Sequence, residues 1–212
     1  MLRLGPAERA TCLVEMNNPG VWVLGEVRKH VQKAGMAIVV EYADKSGTPE
    51  WQQPSDLIWN YQQFGSQPAG PEDETPPIVI PMVFASKFRG HGAMEEWTIN
   101  GKSYPDNGPV ALKQGQRYRL RFINKSADDH PVHLHRHTFE LKTLNAAIPD
   151  YKGTLGKGDG IRTAGVMKDV VIVDAQTQAE VEFTANHPGS TLFHCHQQDH
   201  MDMGFMMLFN YV

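Results

Sequence analysis

The chain has 212 residues, 41% of them hydrophobic and 21% charged, with a formal net charge of −4 at pH 7. A mildly acidic balance of this kind offers no electrostatic footprint for nucleic acid or an anionic membrane surface. No apolar run approaches the roughly eighteen residues needed to span a bilayer, and the start Met1-Leu2-Arg3-Leu4-Gly5-Pro6 lacks the apolar stretch of a signal peptide.

Taken in order, the first forty-odd residues read as three strands separated by turns: Thr11–Met16, Val21–Leu24 after the turn Asn17-Asn18-Pro19-Gly20, and Met36–Tyr42. Cys12, inside the apolar run Cys12-Leu13-Val14, is expected to be a buried thiol with no disulfide partner. Three strands cannot build an independent sandwich core, so residues 1–42 read as the tail of a domain whose first half lies elsewhere. Residues 43–77 change character, with Pro49, Pro54, Pro68, Pro71, Pro76 and Pro77 and the acidic run Glu72-Asp73-Glu74, and are expected as an irregular connector. Its aromatics Trp51, Trp59, Tyr61 and Phe64 are expected to pin it to the neighbouring domain.

From residue 78 short strands recur with turns between them, as an antiparallel sandwich requires. The expected strands are Ile78–Phe84, Glu95–Ile99, Gln116–Ile123, Val132–Leu144, Asp169–Val173, Ala179–Thr184, Thr191–Cys195 and Phe205–Tyr211. The glycine-rich stretch from Gly153 to Gly165 lacks a strand–helix context, so it reads as a surface loop rather than a phosphate cradle.

Seven of the ten histidines fall in two short windows, His130-Pro131-Val132-His133-Leu134-His135-Arg136-His137 and His194-Cys195-His196-Gln197-Gln198-Asp199-His200. Packing alone does not concentrate imidazoles in this way. On a strand ending at Cys195, side chains alternate faces, so His194 and His196 point one way and Cys195 the other. One strand can then serve two metal sites. In the first window His133, His135 and His137 are expected on one strand face, with His130 ahead of them at a bend. A soft thiolate combined with imidazoles suits copper or zinc. His30, His91 and His187 stand alone; His30 and His91 are expected to be exposed.

The two windows, H-P-x-H-L-H and H-C-H-x-x-x-H in this order and about sixty residues apart, resemble the C-terminal cupredoxin domain of the multicopper oxidases, the group containing laccases and copper-resistance oxidases. The segments Glu96-Trp97-Thr98-Ile99-Asn100-Gly101-Lys102, Lys168-Asp169-Val170-Val171 and His187-Pro188-Gly189 extend the likeness. The resemblance implies an all-β, cupredoxin-like Greek-key β-sandwich over residues 78–212. It implies further that 1–42 are the closing strands of an incomplete middle cupredoxin domain, joined by the proline-rich connector 43–77. His130, Cys195 and His200 match the ligands of a type 1 copper, His133 a type 2 ligand, and His135, His194 and His196 type 3 ligands. Phe205 stands at the axial position and cannot coordinate, with Met206 one residue on as the alternative. His137 matches no ligand position, and Arg136 stands where many relatives carry glycine.

By the same resemblance the type 1 site is complete, whereas the oxygen-reducing cluster is half present: its remaining histidines come as two His-x-His pairs that this sequence does not contain. The implied activity is one-electron oxidation of a phenolic-type substrate, an aromatic amine or Cu(I), coupled to reduction of dioxygen to water. The implied partners are the N-terminal cupredoxin domains or another subunit, and the implied location is periplasmic or extracellular. The rival expectation is a single type 1 electron-transfer module without oxidase activity of its own. Met201, Met203, Met206 and Met207 fit either cuprous-ion sites or ordinary soft packing.

Overall fold

Strands Arg117–Asn124 and Gln178–Thr184 show most plainly why the chain folds as it does. Along the first, Tyr118, Leu120 and Phe122 are buried while Arg117, Arg119 and Arg121 alternate to the outside, the two-residue period of a half-buried strand. The outward arginines meet Glu180 and Glu182 on the neighbouring strand, with Arg119 Nε donating to Glu182 at 2.7 Å and Arg121 Nε to Glu180 at 2.6 Å. Cross-strand ion pairs of this kind fix register as much as they stabilise.

The structure, a computed structural model, describes residues 1–55, 61–65, 77–88 and 95–212. Trp59, His91 and Glu72-Asp73-Glu74 lie outside the described residues. Two compact units are present: Met1–Arg3 with Ala10–Trp59, and Leu4–Arg9 with Asn60–Val212.

In the first unit, β1 (Val21–Gly25) and β2 (Ala37–Glu41) pair antiparallel around a one-turn helix, α1 (Lys29–Lys33). The expected strand over Thr11–Met16 does not form: among the described residues it pairs with no other strand. Leu13, Val14 and Met16 are 101%, 69% and 54% exposed. Cys12 is likewise exposed rather than buried. An apolar run becomes a strand only where a partner edge and a core receive it, and two paired strands supply no core. His30 is exposed, as expected.

The second unit is a sandwich. Its strands are β3 (Ile78–Lys87), β4 (Glu96–Ile99), β5 (Val110–Leu112), β6 (Arg117–Asn124), β7 (His130–Leu134), β8 (Phe139–Ala146), β9 (Ile161–Arg162), β10 (Met167–Lys168), β11 (Val170–Val173), β12 (Gln178–Thr184), β13 (Ser190–Cys195) and, after a short helix α2 (Gln198–Asp202), β14 (Met206–Tyr211). One sheet runs β10-β8-β12-β6-β3-β4, with β9 on β8; the other runs β11-β7-β13-β14-β5. The β3–β6 and β14–β5 pairs are parallel, the crossovers of a Greek key. Phe84, Leu120, Phe122, Leu134, Phe193, Phe205 and Phe209 fill the space between the sheets, and each is fully buried. The all-β sandwich is therefore as expected.

The strand expected over Val132–Leu144 is two strands. The chain breaks at Arg136, which takes a left-handed φ of 62°, and β8 then crosses to the other sheet. A residue without a side chain adopts that conformation at least cost, so arginine is an uncommon choice here. In the loop after β8 the glycines are needed for close approach: a Cβ on Gly156 would lie 1.9 Å from the Ala146 carbonyl oxygen, and one on Gly160 2.2 Å from that of Leu144. Of the connector aromatics, Tyr61 packs against the sandwich core, whereas Phe64 is 65% exposed. The strap Leu4–Arg9 is held by Glu8, whose carboxylate accepts from Tyr61 Oη at 2.5 Å and pairs with Lys168 Nζ at 2.8 Å.

Candidate metal centre

Strand β13 is the middle of its sheet, hydrogen-bonded to β7 on one side and β14 on the other, so both its faces are defined by neighbours. In the pairing with β7, His194 stands opposite His133 and Cys195 opposite Val132. Residues paired across a sheet share a face. Cys195 thus points into the sandwich with Val132 and His130, and His194 points outward with His133. The alternation expected for β13 holds, and β7 repeats it: His130 and His133, three apart, serve opposite faces.

On the inner face three donor atoms converge. His130 Nδ1 and His200 Nδ1 are 3.1 Å apart, and each lies 3.8 Å from Cys195 Sγ. His130, Cys195 and His200 are all buried. A metal held at about 2.05 Å from nitrogen and about 2.3 Å from sulfur in a trigonal plane needs separations of about 3.6 Å between nitrogens and about 3.8 Å from nitrogen to sulfur. The nitrogen–sulfur sides of the observed triangle match that and the nitrogen–nitrogen side is about half an ångström short, and two imidazoles with one thiolate are the donor set of a type 1 copper site. The site fits.

His200 reaches it from α2, not from a strand, and the bend at Gly204, φ 101°, returns the chain to β14. Trp97 covers the His200 ring at 4.1 Å between centroids and meets the His130 ring edge-on at 4.8 Å. Phe205 is fully buried with its ring 4.6 Å from that of His130. Met206 pairs across the strand with His194, which places it on the outward face, away from Cys195. Met207 lies in the core, as soft packing rather than at an ion site.

The interior sets the charge of the trio. Burial, then the nearby His200, holds the His130 imidazole down to about 3. Burial pushes the Cys195 thiol up to about 12, partly opposed by the Gln197 backbone N–H, which donates to Sγ at 3.4 Å. Without metal the site is neutral at pH 7, and Cys195 must surrender a proton to become a ligand.

On the outer face four of the five remaining window histidines gather. His135 Nε2 and His194 Nε2 are 3.0 Å apart, and the His133 ring lies 4.9 Å from His135 and 5.3 Å from His196. Two of them have their inner nitrogens committed: His133 Nδ1 donates to the Asp169 carbonyl at 2.5 Å and His194 Nδ1 to the Cys195 carbonyl at 2.8 Å. Such bonds fix the tautomer and leave Nε2 free to ligate. His135 is exposed and His133 and His196 are half-buried, so the cluster faces outward.

His137, expected on that same face, is not there. Past the Arg136 corner it is buried, with Nδ1 donating to the His135 carbonyl at 2.9 Å and Nε2 accepting from Tyr211 Oη at 2.7 Å. Both nitrogens are used, and the residue braces the His135 corner. Arg136 Nη2 donates to the Pro188 carbonyl at 2.8 Å. Sequence reading also missed Ser126 and Asn124, which back His130; Trp97 and Asp169 lay in segments already singled out, without a role.

The fold and the buried His–Cys–His triangle define a copper-binding cupredoxin domain. The multicopper oxidase family pattern matches residues 80–212, more than half of the sequence, and the chain belongs to that family. It is 33% identical over 123 residues to Multicopper oxidase MmcO of Mycobacterium tuberculosis, covering 58% of this chain and 21% of that protein. It is 28% identical over 147 residues to Copper resistance protein A of Escherichia coli, covering 69% of this chain and 21% of the relative. The chain thus spans about a fifth of the length of the curated relatives it matches. The crystal structure of Fet3p, a multicopper oxidase that functions in iron import, superimposes with a TM-score of 0.61 at 15% identity, covering 83% of this chain and 40% of that one, which supports the fold.

Proposed function

We propose that this chain is the C-terminal copper-binding part of a laccase-like multicopper oxidase, oxidising a phenolic-type substrate, an aromatic amine or Cu(I) in one-electron steps and coupling this to reduction of dioxygen to water. Residues 1–42 would be the closing strands of a preceding cupredoxin domain and 43–77 the connector. Copper, when bound, supplies the one-electron redox chemistry.

The chain's own residues provide the geometry. His130, Cys195 and His200 would hold the type 1 copper in a pocket dried by Trp97 and Phe205. Phe205, if it faces the copper as the resemblance implies, would offer no lone pair, which would favour a raised potential. His133 would serve type 2 copper, and His135, His194 and His196 the type 3 pair. Cys195 is bonded on either side to a histidine of the outer cluster, and its carbonyl accepts the His194 Nδ1–H at 2.8 Å, so the two faces of β13 are joined by covalent and hydrogen bonds. The rest of the oxygen site would come from His-x-His pairs outside this sequence, in N-terminal domains or another subunit.

The observation that carries the reading is the placement of the thiolate triangle and the four-histidine cluster on opposite faces of one strand. Cys195→Ser tests it: the intense visible thiolate–copper absorption should vanish while the far-ultraviolet β signature remains. Survival of the blue colour in that variant would refute the assignment. The half-present outer cluster favours a second reading, a type 1 electron-transfer module that does not reduce oxygen by itself.

A further inference from the structure

His130 differs from His200 in what stands behind it. Its Nε2 lies 2.7 Å from Ser126 Oγ, in a fully dry setting: His130 and Asn124 are 0% exposed and Ser126 6%. Ser126 Oγ in turn lies 2.7 Å from Asn124 Oδ1. The orientation of the Asn124 amide is fixed, because the two protons of its Nδ2 are shared among three backbone carbonyls, those of Asp128 at 2.8 Å, Val173 at 3.1 Å and Asp174 at 3.0 Å. Its Oδ1 also accepts the Ser126 backbone N–H at 3.0 Å.

Proton counting then fixes the direction of the Ser126–His130 bond. Asn124 Oδ1 and the Asp128 carbonyl oxygen, 2.7 Å and 3.2 Å from Ser126 Oγ, can only accept, so the single hydroxyl proton of Ser126 goes to them, chiefly to the nearer Asn124. If that proton went to His130 instead, two lone-pair-bearing oxygens would face each other at 2.7 Å in a dry interior, an arrangement that buried polar groups avoid. With its proton spent, Ser126 Oγ must accept, and His130 Nε2 must be the protonated nitrogen. The lone pair is left on Nδ1, the atom that faces Cys195 and His200.

We propose that Asn124 and Ser126 are positioning residues that set the tautomer of His130, presenting Nδ1 to copper before the metal arrives. The same relay joins the end of β6, the start of β7 and the end of β11, so the ligand is indexed to both sheets of the sandwich. The inference rests on the type 1 reading of this site, but its first test does not. In metal-free protein carrying 15N-labelled histidine, His130 should show the Nε2–H tautomer by long-range 15N–1H correlation. Finding the Nδ1–H tautomer overturns the proposal with no variant needed. If the tautomer is as expected but the wild-type chain takes up no copper, the type 1 reading fails and the relay stands as a feature of the fold.

Variants supply the second test. Ser126→Ala should weaken copper affinity, measured by competition with a chelator, by about 10–100-fold and populate both tautomers. Ser126→Thr, which keeps the hydroxyl, should restore both. Val181→Ala, a core truncation away from the relay, should lower thermal stability while leaving the tautomer and the affinity unchanged. Wild-type affinity and a single Nε2–H tautomer in Ser126→Ala would contradict the proposal. Should Ser126→Ala fail to fold, the wild-type tautomer decides alone.

Discussion

Phe205 packs its ring against His130 at 4.6 Å, and in the axial role proposed for it would offer the metal no fourth ligand. The potential of such a site is tuned by the axial group and by the dryness around the thiolate. Phe205→Met should therefore lower the reduction potential, read by redox titration of the visible band; an unchanged potential would mean that position 205 does not address the metal. His130 carries a second expectation, in metal-free protein. Its folded-state pKa is held down to about 3 from an ordinary 6.5. Between these values the unfolded chain binds the extra proton, so this contribution to stability is present above about pH 6.5 and is lost as pH falls towards 3. Thermal unfolding from pH 7 to pH 5 should show a falling Tm, and His130→Gln should flatten part of that fall. An identical slope in the two proteins would contradict a dry, neutral His130. His130, Cys195 and His200, which the structure brings together, were legible in the sequence through their scarce side chains and the family resemblance of the two windows. Ser126 and Asn124 were not, since serine and asparagine are common and their role lies only in three-dimensional contacts.

At the scale of elements, β13 carries the most. Its inward residues Phe193 and Cys195 alternate with His194, and Phe193 stacks on Phe122 at 5.5 Å and Phe84 at 6.2 Å between centroids. Phe193→Ala should cost about 3–5 kcal/mol in denaturant unfolding of the metal-free protein, the range for an aromatic lost from a packed core. A cost below about 1 kcal/mol would mean the sheets do not pack through this residue. Strands with clean alternation, β6 and β12 above all, were readable from sequence because burial of one face leaves a two-residue period. The break between β7 and β8 was not, since Arg136 adopts its left-handed turn without glycine to announce it. The five-residue helix α2 and the three-residue β5 are too short for any period to show. Thr11–Met16 failed in the opposite sense: its apolarity promised a strand that no neighbouring edge completes among the described residues.

For the whole molecule, the sandwich brings one donor set inside and turns the other out. The buried triangle is closed within the chain, whereas the four-histidine cluster lies on the outer face, with His135 exposed and His133 and His196 half-buried. The family resemblance implied this division, since it calls for two further His-x-His pairs that the sequence does not contain. What it could not show is how nearly the triangle is formed without metal: His130 Nδ1 and His200 Nδ1 already stand 3.1 Å apart. The most direct measurement is the copper bound per chain after copper loading, taken with the visible spectrum and oxygen uptake. The account expects one tightly held copper with an intense blue band, and no oxygen consumption by this chain alone. Four coppers per chain with steady oxygen reduction, or one copper without the blue band, would contradict it.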